Sequence, residues 1–373
     1  MEYGSIGKKL IVLLFICINA GLFAMAEQEA PTSGESFEIT DMRGRTVAVP
    51  EEIDSIIALE AGSLRLISYL DAVDKVIAVE DQGHGREKRV HNFFPLATYR
   101  LAYPGLRELP SIGSAENHEG IIAADPDIII ASTVDVGALD QLQSVLDIPV
   151  FAVNADVELH DPQQFYHQLR SLGQVLDKQN RAEELIEGIG AALADIEGRA
   201  AQVETPKRAY AGGMMFYGPA DLLRTTGDYL PFDLTGTKNV MPSNPANNRQ
   251  PYMTSLEDLI AAAPDYAFID AANVNLSKSG FMQNQRVLEE QVPAFGKQQV
   301  YTTLVYKYYG TNWENQLINV YYVGQVLYPG LYSDIGIEAK AEEIWELFFN
   351  ESLDYDFAVT RQKAGLGRVD WFN

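Results

Sequence analysis

The sequence predicts an α/β fold in which two Rossmann-like lobes, each with a central parallel sheet, are joined by one long connecting helix. Short runs of continuous apolar residues alternate with helical stretches, which is typical of parallel sheets covered on both faces. This pattern occurs twice, before and after the middle of the chain, and a long amphipathic segment over 180–203 separates the two occurrences. The 373 residues are enough for two domains with a core each.

The amino end has the pattern of an export signal. Two lysines precede an apolar run over 10–24, and Ala24-Met25-Ala26 offers a cleavage site. The run is short for a membrane span, and a polar stretch follows it. We therefore predict a signal peptide and a periplasmic or extracytoplasmic location; an uncleaved anchor is the alternative. The predicted segments are a signal peptide (1–26), a polar tether (27–36), an N-terminal lobe (37–157), connecting helices (158–206) and a C-terminal lobe (207–373).

Cysteine content and charge limit the classes of function. The only cysteine, Cys17, lies in the predicted signal, so the mature chain has no thiol, as suits an oxidising compartment. Loss of residues 1–26 removes two lysines and one glutamate, which changes the net charge from −24 to −25. Such acidity argues against binding to nucleic acid or to anionic lipid.

The N-terminal lobe begins with alternating apolar and polar residues, which predict a β-hairpin. Continuous apolar runs then predict buried strands, and Pro126 ends the helix before one of them. The predicted elements are a hairpin of 37–40 and 46–49, strands at 55–59, 74–79, 127–131 and 149–153, a turn at 60–63, and helices at 64–70, 117–124 and 137–146.

The connecting segment begins with Asp161 as a helix cap, Pro162 at the first helical position and Gln164 three residues after the cap. Apolar residues then keep a helical period, with an interruption at 177–180. The second run, over 180–203, would be about 36 Å long. We interpret it as a rigid connector between the lobes; one more helix of a single large domain is the alternative.

The C-terminal lobe repeats the strand–helix alternation. Its predicted elements are strands at 208–214, 266–270 and 299–304 and helices at 256–262, 312–327 and 337–349. A helix followed by a Pro-Asp pair and a strand occurs in both lobes, at 122–127 and at 261–265. Two similar lobes joined by one connector predict a ligand held in the cleft between them.

Candidate ligand-binding residues follow the carboxyl ends of the predicted strands, where open parallel sheets bind ligands. Segment 84–107 combines cations with aromatic rings in an acidic chain, which would suit an anionic chelate; a solvated loop is the alternative. In the second lobe, aromatic rings offer stacking area and arginine offers a partner for carboxylates; core or surface tyrosines are the alternative. The predicted ligand-binding residues are Gly62, Ser63, His84, Arg86, Arg89, Tyr103, Tyr217, Arg249, Tyr252, Tyr309 and Trp313.

Neither a metal site nor a catalytic site is predicted. The five histidines form no metal-binding motif, so we expect no bound free metal and no cofactor. Nucleophile, phosphate-loop and metalloprotease motifs are absent from the sequence, so we predict no catalytic residues and no enzyme. An exported hydrolase and an adhesion or sensor module are the alternatives of other classes.

The chain resembles the substrate-binding proteins of ABC importers for iron–siderophore complexes, haem and cobalamin, in which a single helix links two lobes. The resemblance covers most of 37–350 and departs in segments 84–107 and 210–252. The segments that carry it are 39–45 with Val47 and Pro50, 61–63, 70–76, 112–113, and 117–122 running into 126–130.

The resemblance implies a monomeric, exported protein that captures an iron–chelate complex in the inter-lobe cleft and delivers it to an ABC permease and its ATPase. Molybdate or tungstate, cobalamin and haem are alternative ligands. By position in the family pattern, Glu119 and Glu257 would dock onto permease arginines, one from each lobe. The alternative is that both are ordinary first-turn glutamates favoured by the helix dipole.

Overall fold

The computed structural model describes residues 35–80, 96–133, 135–215, 218, 220–244, 250–362 and 365–372. The predicted signal peptide over 1–26 and nearly all of the tether lie outside these residues. Glu35–Asn373 forms one compact unit. We call the described residues up to 157 the first half and those from 207 onwards the second half.

Strands and helices alternate along most of the described chain. The strands are β1 (Ser36–Thr40), β2 (Thr46–Pro50), β3 (Ile56–Leu59), β4 (Val76–Glu80), β5 (Ser111–Gly113), β6 (Ile128–Ala131), β7 (Val150–Ala152), β8 (Arg208–Gly212), β9 (Arg224–Thr225), β10 (Lys238–Asn239), β11 (Tyr252–Met253), β12 (Tyr266–Asp270), β13 (Val300–Thr303) and β14 (Gly367–Arg368). The α-helices are α1 (Glu60–Tyr69), α2 (Tyr99–Ala102), α3 (His118–Ala124), α4 (Val136–Leu146), α5 (Pro162–Val175), α6 (Gln179–Ala200), α7 (Leu230–Leu234), α8 (Leu256–Ala262), α9 (Val274–Gln291), α10 (Pro293–Gly296), α11 (Trp313–Leu327), α12 (Ile337–Phe349) and α13 (Tyr355–Gln362).

The first half contains a five-stranded parallel sheet in the order β5-β4-β3-β6-β7. Every residue of β3, β6 and β7 is buried, as continuous apolar runs require when helices cover both faces. The hairpin β1–β2 is attached to this sheet, because the amide of Met42 donates to the carbonyl of Ala152. The predicted parallel sheet is confirmed here.

The second half contains a seven-stranded sheet in the order β11-β9-β8-β12-β13-β14, with β10 beside β8. Its central strands β8, β12 and β13 are parallel, whereas β9, β11 and β14 pair antiparallel. The predicted α/β class with central parallel sheets is therefore confirmed, and the antiparallel strands are an addition to it. Because β9, β11 and β14 have two residues each, they are too short to show a period in the sequence.

The connecting segment forms the two predicted helices, α5 and α6. The buried side of α6 carries Leu185, Ile186, Ile189 and Ile196, which join one hydrophobic cluster with residues of both halves. The α6 helix also contacts α11 and α12. It is thus packed along the protein, and its role as a connector between separate lobes stays a prediction. Among the described residues, no helix is both long enough and apolar enough to span a membrane.

Two local predictions differ from the structure. The predicted turn at 60–63 is absent, because Glu60 takes a left-handed φ of 65° and α1 starts there directly after β3. The 18-residue helix α9 was not predicted. Asn284 leaves helical geometry inside it, so the apolar residues on either side do not keep one continuous period.

Candidate functional site

The carboxyl ends of four first-half strands, β3, β4, β6 and β7, lie close together. A Cβ atom built on Gly62 would lie 2.3 Å from the Cβ of Ala155 and 3.0 Å from the hydroxyl oxygen of Ser132. The Ser132 hydroxyl donates to the Glu60 carboxylate at 2.7 Å, and the amide of Glu60 donates to the carboxylate of Glu80 at 2.7 Å. These contacts gather two carboxylates at the edge where an open parallel sheet binds ligands.

The environment of Glu80 favours its neutral form. Burial raises the pKa of the Glu80 carboxyl, and repulsion from the Glu60 carboxylate raises it further. The hydrogen bond from the Glu60 amide partly opposes this rise.

A tight turn from the second half, the 308–311 turn, meets the same strand ends. The amide of Tyr308 donates to the carbonyl of Gly310 at 2.9 Å, and the amide of Thr311 donates to the carbonyl of Ala155 at 2.9 Å. Tyr309 has a φ of 48° and Gly310 a φ of 104°. A Cβ on Gly310 would lie 3.0 Å from the Cβ of Ala155, so glycine permits the close approach of the two halves here.

Arg65 joins α1 to this turn. The side chain is fully buried, and its guanidinium donates to the carbonyl of Tyr308 at 2.8 Å and to that of Tyr309 at 3.4 Å. The guanidinium carbon lies 5.4 Å from the centre of the Tyr99 ring, within cation–π range. A buried charge requires such partners.

Two ion pairs join the segment after β7 to the second half. Lys307 pairs with the buried Glu158, and the Nε2 atom of His160 lies 2.7 Å from the carboxylate of Asp233. Together with Ala155, these residues place 155–160 against the second half over several consecutive positions. The two halves are therefore in contact at the strand ends rather than separated there.

The structure places Gly62 and Ser63 inside α1. Gly62 serves the close contact with Ala155 described above. The Ser63 side chain is fully buried, and its hydroxyl donates to the carbonyls of Leu59 and Glu60, so it is already satisfied within the helix. Its position near the strand ends agrees with the prediction, but its side chain has no surface for a ligand.

Three predicted aromatic residues have their polar atoms engaged by the protein. The Tyr103 hydroxyl donates to main-chain carbonyls of Ser68 and Phe349, and that of Tyr252 donates to the carbonyl of Pro242 at 2.8 Å. Trp313 is fully buried; its indole N–H donates to the carbonyl of Val157 at 2.8 Å, and its ring stacks on Phe165 with centroids 4.6 Å apart. Burial gives Trp313 a packing role in this structure.

Among the described residues, Tyr309 is the predicted aromatic residue with the most exposed side chain. It is 55% exposed and belongs to the 308–311 turn, which contacts Ala155 after β7 and Arg65 of α1. The predicted residues His84, Arg86, Arg89, Tyr217 and Arg249 lie outside the described residues. Ala155 thus contacts Gly62 of the first half and also the 308–311 turn that contains Tyr309.

Glu119 and Glu257 occupy equivalent positions in the two halves. Each is exposed and is the second residue of a seven-residue helix, α3 or α8. Asn117 caps α3 by accepting from the amide of Gly120, and Ser255 caps α8 by accepting from that of Asp258. Both helices end at a left-handed residue, and a strand of the parallel sheet follows each of them. The strand β6 pairs with β3 and the strand β12 pairs with β8; β3 and β8 are the strands of their sheets that come first along the chain.

A groove of about 690 Å³ lies between α6, α11 and α12, and Tyr321 lines it. Its charged side chains pair with each other: Arg199 lies 2.7 Å from Asp334, and Lys340 lies 2.6 Å from Glu343. We therefore place no ligand there. Within the part of the chain that the structure describes, no three His, Cys, Asp or Glu side chains lie close enough to hold a metal ion.

Sequence reasoning missed Arg65, Glu80 and Gly310. Arg65 carried a local signal, since it is a lone cation within the apolar sequence Leu64-Arg65-Leu66-Ile67 and a charge in such a run needs buried partners. No local signal shows that it would meet Tyr308, from which it is separated by 243 positions.

Comparisons with known proteins show which protein family and which relatives this chain is similar to. A family model described as periplasmic binding protein matches residues 56–304, which span both sheets. The molybdate-binding protein MolA of Haemophilus influenzae is 21% identical over 350 residues, covering 86% of this chain and 93% of that protein.

Solved structures share the fold. A periplasmic solute-binding protein from Veillonella parvula superposes with a TM-score of 0.67 at 16% identity, covering 88% of this chain and 99% of the other. Molybdate-bound MolA gives 0.66 at 18% identity, with 85% and 99% covered. A protein of an Fe³⁺-hydroxamate transport system from Saccharomonospora viridis gives 0.54 at 18% identity, with 78% and 99% covered.

Proposed function

The chain belongs to the periplasmic binding protein family, and on that premise we propose that it is an exported solute-binding protein of an ABC importer that captures an iron–chelate complex of the siderophore type. The family match confirms the resemblance predicted from the sequence. The observation that carries the proposal is the extent of this match, because residues 56–304 include the central parallel strands of both sheets and the helices between them. We further propose that it acts as a monomer outside the cytoplasmic membrane.

The ligand position that we propose is the contact between the strand ends of the first half and the 308–311 turn. A ligand there would meet the exposed ring of Tyr309 and the carboxyl groups of Glu60 and Glu80. An aromatic ring offers stacking area to a bulky chelate, and carboxyl groups accept hydrogen bonds from its amide or hydroxyl groups.

Molybdate is the second candidate, and the relative MolA is the observation that favours it. The described residues at the contact favour the chelate instead. Molybdate is a dianion, so carboxylates at the contact would repel it, whereas a large chelate spreads its charge over more surface. The Fe³⁺-hydroxamate transport protein of the same fold also supports the chelate.

A thermal-shift screen tests the ligand. The purified protein is heated with ferrichrome as a ferric trihydroxamate, and separately with haem, cobalamin and molybdate. A true ligand at 100 times its dissociation constant adds about 2.7 kcal/mol to the free energy of unfolding, because it binds only the folded state. We expect this shift with the ferric chelate. A shift in melting temperature with molybdate alone would mean that the protein binds the oxyanion and not the chelate.

We propose that Glu119 and Glu257 dock onto arginines of the permease that works with an ATPase subunit. Their equivalent positions on α3 and α8 support this, because a carboxylate on the same structural element of each half can accept a bidentate arginine hydrogen bond. Exposed first-turn glutamates also interact favourably with the helix dipole, so stability alone does not identify docking.

A further inference from the structure

We propose that Arg65 is the positioning residue of the 308–311 turn: its guanidinium holds the turn so that Tyr309 keeps a left-handed backbone and presents its ring at the strand ends of the first half. The proposal deepens the function proposed above and rests on it, since the ring held in this way is the contact for the captured ligand.

The Arg65 guanidinium engages two neighbouring peptide groups of the turn. Two of its guanidinium nitrogens donate to consecutive carbonyls, those of Tyr308 and Tyr309, at 2.8 and 3.4 Å. Hydrogen bonds from a charged donor are stronger than neutral ones, and a planar guanidinium fixes two acceptors at once. Arg65 therefore fixes the orientation of the two peptide units that flank the Cα of Tyr309.

Tyr309 has a left-handed backbone although it carries a Cβ atom. A φ of 48° is unfavourable for a residue with a Cβ atom, and glycine or asparagine is usual at such a position. Strained conformations of this kind persist where the surrounding structure holds them, and they concentrate at functional sites. The hydrogen bonds to Arg65 and the bond from Thr311 to Ala155 hold this one from outside the turn, and the bond from Tyr308 to Gly310 closes the turn itself.

The left-handed backbone of Tyr309 carries an exposed side chain. The Tyr309 ring is 55% exposed and makes an edge contact with the ring of Tyr308 at 4.9 Å between centroids. Packing therefore does not account for a large aromatic ring at a strained position. Across the contact, Glu60 is also non-glycine and left-handed, with a φ of 65°. Each half thus contributes one left-handed, non-glycine residue to the elements that meet at this contact.

Amide hydrogen exchange of the R65M variant tests the positioning role without a ligand. We expect the amides of Tyr308 and Thr311 to exchange about tenfold faster or more, because the charged hydrogen bonds that hold the turn are lost. The matched control is R181M, since Arg181 also donates to two main-chain carbonyls, those of Tyr69 and Leu347, but not to the turn. Its effect on the two amides should stay within twofold.

Two results would overturn the proposal. One is unchanged exchange at Tyr308 and Thr311 in R65M; the other is an equal rise throughout α1 and the turn, which would mean that Arg65 only stabilises the fold. If R65M does not fold, R65K replaces it, because lysine keeps the charge but cannot hold two carbonyls in one plane. The Y309G variant adds a second test. Glycine accepts the left-handed conformation without strain, so R65M should accelerate exchange less in the Y309G background.

Binding measurements separate this proposal from that of the ligand. Titration with ferrichrome and with molybdate should show affinity weakened at least tenfold in R65M and in Y309A but not in R181M. Wild-type affinity in both R65M and Y309A would show that the 308–311 turn does not contact the ligand. If the wild-type protein binds neither probe, the proposed ligand class is wrong, while the exchange result still decides the role of Arg65.

Discussion

We expect the buried carboxyl group of Asp270 to make the stability of this protein depend on pH. Asp270, at the carboxyl end of β12, is fully buried, and its carboxylate accepts hydrogen bonds from the amides of Ala272 at 2.8 Å and Tyr306 at 2.9 Å. Burial raises the pKa of Asp270 from its ordinary value of 3.8 to about 7, although the two amide hydrogen bonds oppose the rise. Between about pH 4 and pH 7, the folded chain therefore keeps a proton on Asp270 that the unfolded chain releases.

We expect this group to lower stability as the pH rises. Its contribution is fully present below about pH 4 and is lost as the pH approaches 7, because the folded state binds more protons in that interval. The loss would be roughly 4 kcal/mol for a shift of this size. Urea denaturation of wild type and Asp270→Asn at pH 5 and pH 8 measures the part that is lost between these two values, about 2.7 kcal/mol, because the folded group titrates two units above pH 5.

The variant also serves as the control for net charge. With a net charge of −24, the chain repels itself less at low pH, which stabilises both proteins alike. The wild-type free energy of unfolding should therefore change more between the two pH values than that of Asp270→Asn. Equal changes would mean that Asp270 ionises in the folded protein as it does in the unfolded chain.

At the scale of elements, the protein uses one arrangement twice. In each half, a capped seven-residue helix carries an exposed glutamate at its second position. The helix leads into a strand that pairs with β3 in the first half and with β8 in the second half. The glutamates are thus held by short, well-defined elements rather than by loops. That arrangement suits a partner that contacts both halves together.

Glu119→Ala and Glu257→Ala test docking. We expect each variant to lower uptake through the reconstituted permease several-fold and the double variant to lower it further, because each removes one charged contact. Ligand affinity should not change, and stability should fall by no more than about 1 kcal/mol, the size of a helix-dipole interaction. Glu187→Ala, an exposed glutamate on α6, is the control. Uptake equal to wild type in the double variant would exclude the docking role.

At the scale of the whole molecule, the two halves are held together by short-range contacts and by a shared core. Leu185 and Ile189 of α6 pack into a hydrophobic cluster that includes residues from both halves. The Trp313 indole, the Lys307–Glu158 pair and the Arg65 guanidinium each join one half to the other or to the segment between them. Wide separation of the halves would break all of these contacts.

We therefore expect little change in size when a ligand binds. Small-angle scattering should give a radius of gyration near the ~20 Å typical of a compact chain of this length, both with and without ligand. Only a modest closure is compatible with the packed connecting helix. A large decrease on ligand addition would show that the halves separate widely in the free protein and would contradict this prediction.

The regular elements could be read from sequence because their signals are local. The strand at Tyr266–Asp270 and the helices at Leu256–Ala262 and Ile337–Phe349 lie where the apolar runs and the apolar period predicted them. Helix α9 was missed because its kink at Asn284 interrupts that period, and the two-residue strands have none.

The fold class, most of the central strands and helices, and the family follow from the amino-acid sequence, since each depends on spacing along the chain. Tertiary structure alone decided that Arg65 holds Tyr309, that Gly62 and Gly310 both pack against Ala155, and that Trp313 lies in the core. The reason is physical: a buried charge, a close approach and a strained backbone are each satisfied by atoms more than 90 positions away along the chain, as with Arg65 and Tyr308 at 243 positions.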